Sequence, residues 1–167
     1  GVFFQQTPDG DAAYWQWIAY GLVWTLAVSA VAWIIAMTLG ALVGTIRTTD
    51  RHWMVRLGNA WVELFRNIPL LVQMFLWYFV LPELLPDAIG SWIKQMTPPW
   101  ASFVPAVIGL GLFTAARVSE QVRAGIQALS RGQGQAGTAL GLTLPQRYRY
   151  VLLPMAYRII LPPLTSE

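Results

Sequence analysis

The sequence predicts an all-α integral membrane protein, a bundle of transmembrane helices, on three observations. Hydrophobic residues make up 56% of the chain and charged ones only 11%, whereas about a quarter of a soluble domain is charged. No charged side chain occurs from Tyr14 to Ile46, a run well beyond the roughly 18 apolar residues that mark a membrane span. The positive charge is nearly all Arg, held in short segments between apolar runs. That distribution sets membrane topology and does not fit a nucleic-acid partner, despite the net charge of +3. The absence of Cys excludes a disulfide framework, a CxxC redox pair and a cysteine-built zinc site.

The first element is the run from Tyr14 to Ile46. At about 1.5 Å per residue it outruns a hydrocarbon core of roughly 30 Å. Tyr14, Trp15, Trp17 and Tyr20 fit an interfacial aromatic belt at its start, so the span itself is placed at 21–46. Ala36, Gly40 and Gly44 recur every four residues. They put small side chains on one face, a packing seam that lets another helix approach closely. A second span is expected at 66–82, entered through an elbow because Pro69 removes a backbone donor near its start. The Pro-rich segment 82–99 is a loop, with IGSWIKQM as a short interfacial helix. The third apolar stretch, from Trp100 to Ala116, is too short alone. A span at 101–121 must take in Arg117 and Glu120. A fourth apolar segment starts at Val151.

Orientation follows from Arg. Residues 47–66 carry four Arg and residues 117–149 carry five, while 1–13 carry only Asp9 and Asp11 and 82–99 a single Lys. The positive-inside rule places 47–66 and 117–149 in the cytoplasm and the N-terminus and 82–99 loop outside. The chain starts without Met and stops at Glu167 just after a Pro-Pro pair. The expectation is one transmembrane domain, 1–167, truncated at both ends.

The cytoplasmic stretch SRGQGQAGTALGLTLPQRYRYVLLP, within the loop 130–150 and the start of the fourth apolar segment, carries the most specific pattern. It reads as a short helix from Gly134 to Leu140, a turn at Gly141, and a second helix opened by Thr143 with Pro145 near its first turn. Composition alone leaves an ordinary basic loop open beside a docking element. The spacing resembles the EAA loop of bacterial ABC importer permeases: Gln135-Ala136-Gly137, three residues, Gly141, nine residues, then Val151-Leu152-Leu153-Pro154. The chain departs from that pattern at Gln135, where Glu is usual, and at Gly137, where Ala is usual. The second change is expected to weaken the short helix by up to about 1 kcal/mol. ELFRNIPLLVQMFLWYF and AARVSEQVRAGI resemble segments of permeases for polar amino acids, most of all those for glutamate and aspartate.

This resemblance implies a type I ABC importer permease fold with a cytoplasmic coupling helix, in a bacterial inner membrane with the N-terminus periplasmic. It implies a second permease subunit, a dimer of ATP-binding subunits, a periplasmic amino-acid-binding protein, and the lipid bilayer as surroundings. Coupling to the ATP-binding subunit would fall to Gln135, Ala136, Gly137, Gly141, Leu153 and Pro154. No GxxxxGK[ST] loop occurs in the chain, so ATP and Mg are expected in the partner, with no cofactor, metal or catalytic residue here. Arg117 stands where the family has Tyr. It either snorkels to the interface or pairs with Glu120, or else meets the carboxylate of an acidic substrate, for which a planar bidentate donor is suited. Glu120 and Arg123 extend it into an i, i+3, i+6 ladder, structural or substrate-facing. Two rival classes remain. A membrane enzyme needs a base beside Ser29, Thr114 or Ser119, and the lone His52 is expected in the cytoplasm. A passive channel leaves the spacing of the cytoplasmic loop to chance. An importer of a different polar amino acid is the nearest alternative.

Overall fold

The computed structural model describes residues 13–129 and 131–165. The amino-terminal residues 1–12, with the Asp9 and Asp11 used for orientation, lie outside the described residues, as do Ser130 and the final residues 166–167. The described elements are α1 (Tyr14–Ile46), α2 (His52–Asn67), α3 (Leu70–Leu84), α4 (Asp87–Lys94), α5 (Trp100–Gln127) and α6 (Arg131–Ala139). A last helix, α7, runs from Leu144–Arg147 through a π-helical turn at Tyr148–Leu152 into Leu153–Leu164.

Helices α1 and α5 form the spine. The buried residues of α1 are Ala32, Ala36, Gly40 and Gly44, and this stripe lies directly on α5. A Cβ on Gly40 would sit 2.6 Å from Val118 Cβ and 2.9 Å from the Ala115 carbonyl oxygen; one on Gly44 would sit 2.8 Å from the Ser119 carbonyl oxygen. Only glycine lets the two backbones meet there. At the other end Trp24 packs edge-on against Trp100 and Phe103, with centroids 5.3 and 5.4 Å away. Contacts therefore advance in the same sense along both helices, so α1 and α5 are parallel. The chain must return the length of the bundle between them.

That return is made by α3. Its Met74 and Trp77 pack on Gly109, and Tyr78, Phe79 and Pro82 share a small cavity with Ala101 and Pro105. It runs antiparallel to α5. The expected span at 66–82 is corrected at its start, because residues 66–67 still belong to α2 and the two helices bend by 97°. Pro69 drives Ile68 into an extended conformation, as a proline does to the residue before it. Gln73, almost fully buried, donates from Nε2 to the Phe65 carbonyl at 2.6 Å and the Ile68 carbonyl at 2.9 Å. One side chain thus satisfies two carbonyls orphaned by the break.

The third span is longer than the expected 101–121, because α5 continues to Gln127. Its last turns, Val118, Val122 and Ile126, form the main core with Ala156 and Ile160 of α7. Among the described residues two helices, α1 and α5, are long and apolar enough to cross a bilayer alone. A Gly40→Leu variant is expected to destabilise the detergent-solubilised full-length permease by about 1–3 kcal/mol or to prevent its folding. Gly21→Leu, where a Cβ meets nothing within 4 Å, should leave the thermal unfolding midpoint unchanged.

Candidate functional site

Two features occupy the end of the bundle where α1 stops and α2 begins. The first is a charge cluster built on Arg47, the residue that caps α1. Its side chain is 4% exposed, a costly place for a guanidinium unless its donors are used. They are used. Nε donates to Asn59 Oδ1 at 2.7 Å, Nη1 to Ser119 Oγ at 3.2 Å and Nη2 to Glu120 Oε1 at 2.8 Å. Gly58 makes room for the stem, since a Cβ there would lie 2.7 Å from Arg47 Cγ. One side chain therefore ties α1, α2 and α5 together. Arg66 and Arg123 approach the same carboxylate at 3.6 Å from its two oxygens, beyond hydrogen-bonding range.

The sequence sets Glu120 beside Arg117 and Arg123, and Arg123 does stand 3.6 Å from its Oε2. The short bond, however, comes from Arg47, 73 residues away, and spacing along the chain does not single out Arg47, Asn59 or Ser119 as site residues. A carboxylate in an apolar helix calls for a partner, but which of the Arg residues supplies it depends on the α1–α5 register. Arg117 is exposed on α5, flanked by the buried Ala116 and Val118. His52 opens α2 and is exposed. Among the described residues no group of three or more His, Asp or Glu gathers to hold a metal.

The second feature is the segment from α6 into α7. Gly141 adopts φ +74°, a conformation that glycine takes without strain. The Leu140 and Leu142 amides donate to the Ala136 and Gly137 carbonyls at 3.0 and 3.1 Å, closing the end of α6. Thr143 then caps α7, its amide donating to Gln146 Oε1 at 2.9 Å. Two bonds fix the hairpin. Arg147 Nη1 donates to Thr138 Oγ1 at 2.8 Å, and the Tyr148 hydroxyl donates to the Thr48 carbonyl at 2.8 Å, just past α1. Gly137 is buried, and a Cβ there would come within 3.1 Å of Arg147 Cγ. The helix-weakening glycine thus makes room for the arginine that braces the turn.

Gln135 and Ala136 are exposed on α6, and Leu140 is 78% exposed at its tip. Leu153 is half-buried on the core and Pro154 is exposed on α7. Between this hairpin and the α1–α2 corner lies a cleft of about 970 Å³, lined by Thr49, Asp50, Arg56, Gln135 and Arg147 among others.

A bundle of helices long and apolar enough to cross a membrane, ending in a hairpin braced by Arg147 and Tyr148, is the architecture of a membrane transport component. The chain belongs to the family described as binding-protein-dependent transport system inner membrane component, whose pattern matches residues 36–167. It is 55% identical over 168 residues to the glutamate/aspartate import permease protein GltJ of Escherichia coli strain K12, covering 100% of this chain and 68% of that protein. It is 33% identical over 147 residues to the glutamate/aspartate import permease protein GltK of Escherichia coli O6:H1, covering 88% of this chain and 64% of that one. Among solved structures, a crystal structure of an amino acid ABC transporter with histidines matches with TM-score 0.65 and 28% identity, over 93% of this chain and 70% of that chain. The all-helical architecture is that of a type I ABC importer permease.

The two shells of the charge cluster should separate on mutation. Arg47→Ala takes from Glu120 its closest cation, leaves the buried Ser119 without the Arg47 donor, and is expected to cost about 3 kcal/mol of stability. Arg66→Ala, on a half-exposed pair, should cost less than about 1 kcal/mol. Thermal unfolding of the two full-length variants reads the difference.

Proposed function

We propose that this chain is a membrane-spanning subunit of an ATP-driven importer of acidic amino acids, glutamate and aspartate, working by alternating access. The observation that carries the substrate class is the 55% identity, over the whole chain, to a glutamate/aspartate import permease. In this reading a second permease subunit completes the translocation path, and a periplasmic binding protein delivers the amino acid. A dimer of ATP-binding subunits holds ATP and Mg, and the N-terminus faces the periplasm.

The mechanism is a mechanical linkage. The ATP-binding subunit engages the exposed side of α6, at Gln135, Ala136 and the tip Leu140. Because Arg147 and Tyr148 fasten this hairpin to itself and to Thr48, displacement of α6 is not absorbed locally. It reaches the end of α1, and through Arg47 and Glu120 it reaches α5 and the elbow between α2 and α3. ATP binding then favours one arrangement of the two permeases over another. Arg117 and Glu120 border the path, and the excess of Arg over carboxylate at the inner end attracts an anionic substrate.

Gly141→Val forces a β-branched residue into a left-handed backbone conformation. It is expected to abolish glutamate uptake while membrane insertion and assembly with the ATP-binding subunit persist. Uptake of radiolabelled glutamate by the full-length permease with its partners, in a strain lacking its own system, checks this. In the same assay Arg117→Tyr is expected to lose acidic amino acid uptake selectively. Unchanged uptake and preference would remove Arg117 from the path.

A further inference from the structure

Helix α2 presents three faces. Gly58 and Val62 are buried against the rest of the bundle. His52, Arg56, Glu63 and Asn67 form an exposed polar arc. Trp53, Leu57, Ala60 and Leu64, at spacings of four, three and four, form an exposed apolar stripe on which Trp53 is 61%, Leu57 63% and Leu64 55% exposed. Among the described residues the apolar stripe is left exposed.

The depth of α2 is readable from its neighbours. At its middle, Gly58 sits against the Arg47 stem, and a Cβ there would lie 3.7 Å from Val43 Cγ1. Near its end, Arg66 reaches Glu120 at 3.6 Å. Val43 and Arg47 lie beside Ser119 through Gly44 and the Arg47–Ser119 bond. The middle and the end of α2 are therefore at one level of α5. At about 1.5 Å per residue that level is roughly 30 Å from Trp100, the thickness of a hydrocarbon core. The 97° bend to α3, which itself makes the return crossing, turns α2 across the bundle axis.

We propose that α2 lies in the plane of the inner-leaflet interface as an anchor, with the Trp53–Leu57–Ala60–Leu64 stripe seated in lipid. The occupant is a lipid surface and not a protein. The stripe is the apolar side of an amphipathic helix with basic flanks, and it stands at the level where headgroups meet acyl chains. Trp53 is an interfacial side chain, and exposed Arg51 and Arg56 face anionic headgroups. The anchor fixes the depth of the elbow and of Arg66 while α6 moves.

These 167 residues hold no Cys, so spin labelling needs only the replacement of any cysteine elsewhere in the full-length permease. Leu57→Cys, Leu64→Cys, Arg56→Cys and Glu63→Cys variants of the full-length permease, assembled with cysteine-free partners in nanodiscs of anionic lipid, are labelled with a nitroxide. Accessibility to oxygen and to a water-soluble nickel chelate is then measured. The expected result is labels at 57 and 64 relaxed mainly by oxygen and labels at 56 and 63 mainly by the chelate. Immobile labels at 57 and 64, hidden from both reagents, would make the stripe a protein interface and overturn the proposal. Chelate access at 57 and 64 would put it in water, and oxygen dominance at all four sites would make α2 part of a re-entrant span. Either result also overturns it.

Discussion

The approach of α1 to α5 at Gly40 and Gly44 is the constraint on which the bundle depends. Side chains any larger than hydrogen would separate the backbones, because Ala115 and Ser119 carbonyl oxygens occupy the space a Cβ would take. With the helices in contact, Arg47 can reach Ser119 and Glu120 from the end of α1. Set further apart, the same guanidinium would keep Asn59 but lose Ser119 and Glu120 as acceptors, and Glu120 would be left in an apolar helix without its closest cation. Dispersion along the seam and the charge-assisted bonds at its end are therefore one design.

Parallel pairing then dictates the middle of the chain. Residues 52–99 must travel from the inner end to the outer end, and α3 alone, at about 1.5 Å for each of its residues, spans less than a hydrocarbon core. The difference is made up by the elbow, which starts α3 inside the bundle, and by the segment around α4 on the far side. There Lys94 binds Glu83 at 2.7 Å. Gln73 is what makes the elbow admissible in an apolar setting, because without its Nε2 two carbonyls would face hydrocarbon.

Much of this was legible beforehand, for physical reasons that differ by element. The seam at Ala36, Gly40 and Gly44 has a period of four, which sets three small residues on one helix face. The hairpin between α6 and α7 was readable because glycine at a left-handed turn and Thr-x-x-Gln at a cap are local chemistry, and the structure places the turn at Gly141 and the cap at Thr143. The closest partner of Glu120 was not, although the expected Arg123 also stands within ion-pair distance. Spacing along one helix favours Arg117 and Arg123, whereas the short bond comes from Arg47, whose position depends on the packing of two distant helices. The long-range role of Gly137 was hidden in the same way, since helix propensity alone counts it as a loss and says nothing of the Arg147 stem that fills its place.

The parallel spine also fixes an order of events during synthesis. Gly40 meets Ala115 and Gly44 meets Ser119, so α1 reaches the membrane long before its complementary surface has been made. At roughly 5–20 residues per second, the intervening residues take about 4–15 s to appear. Throughout that interval the glycine seam faces lipid or the insertion machinery, and Arg47 waits at the headgroups without Glu120. The nascent permease is thus born with its most adhesive surface open, and the first neighbour able to cover it correctly is its own fifth helix.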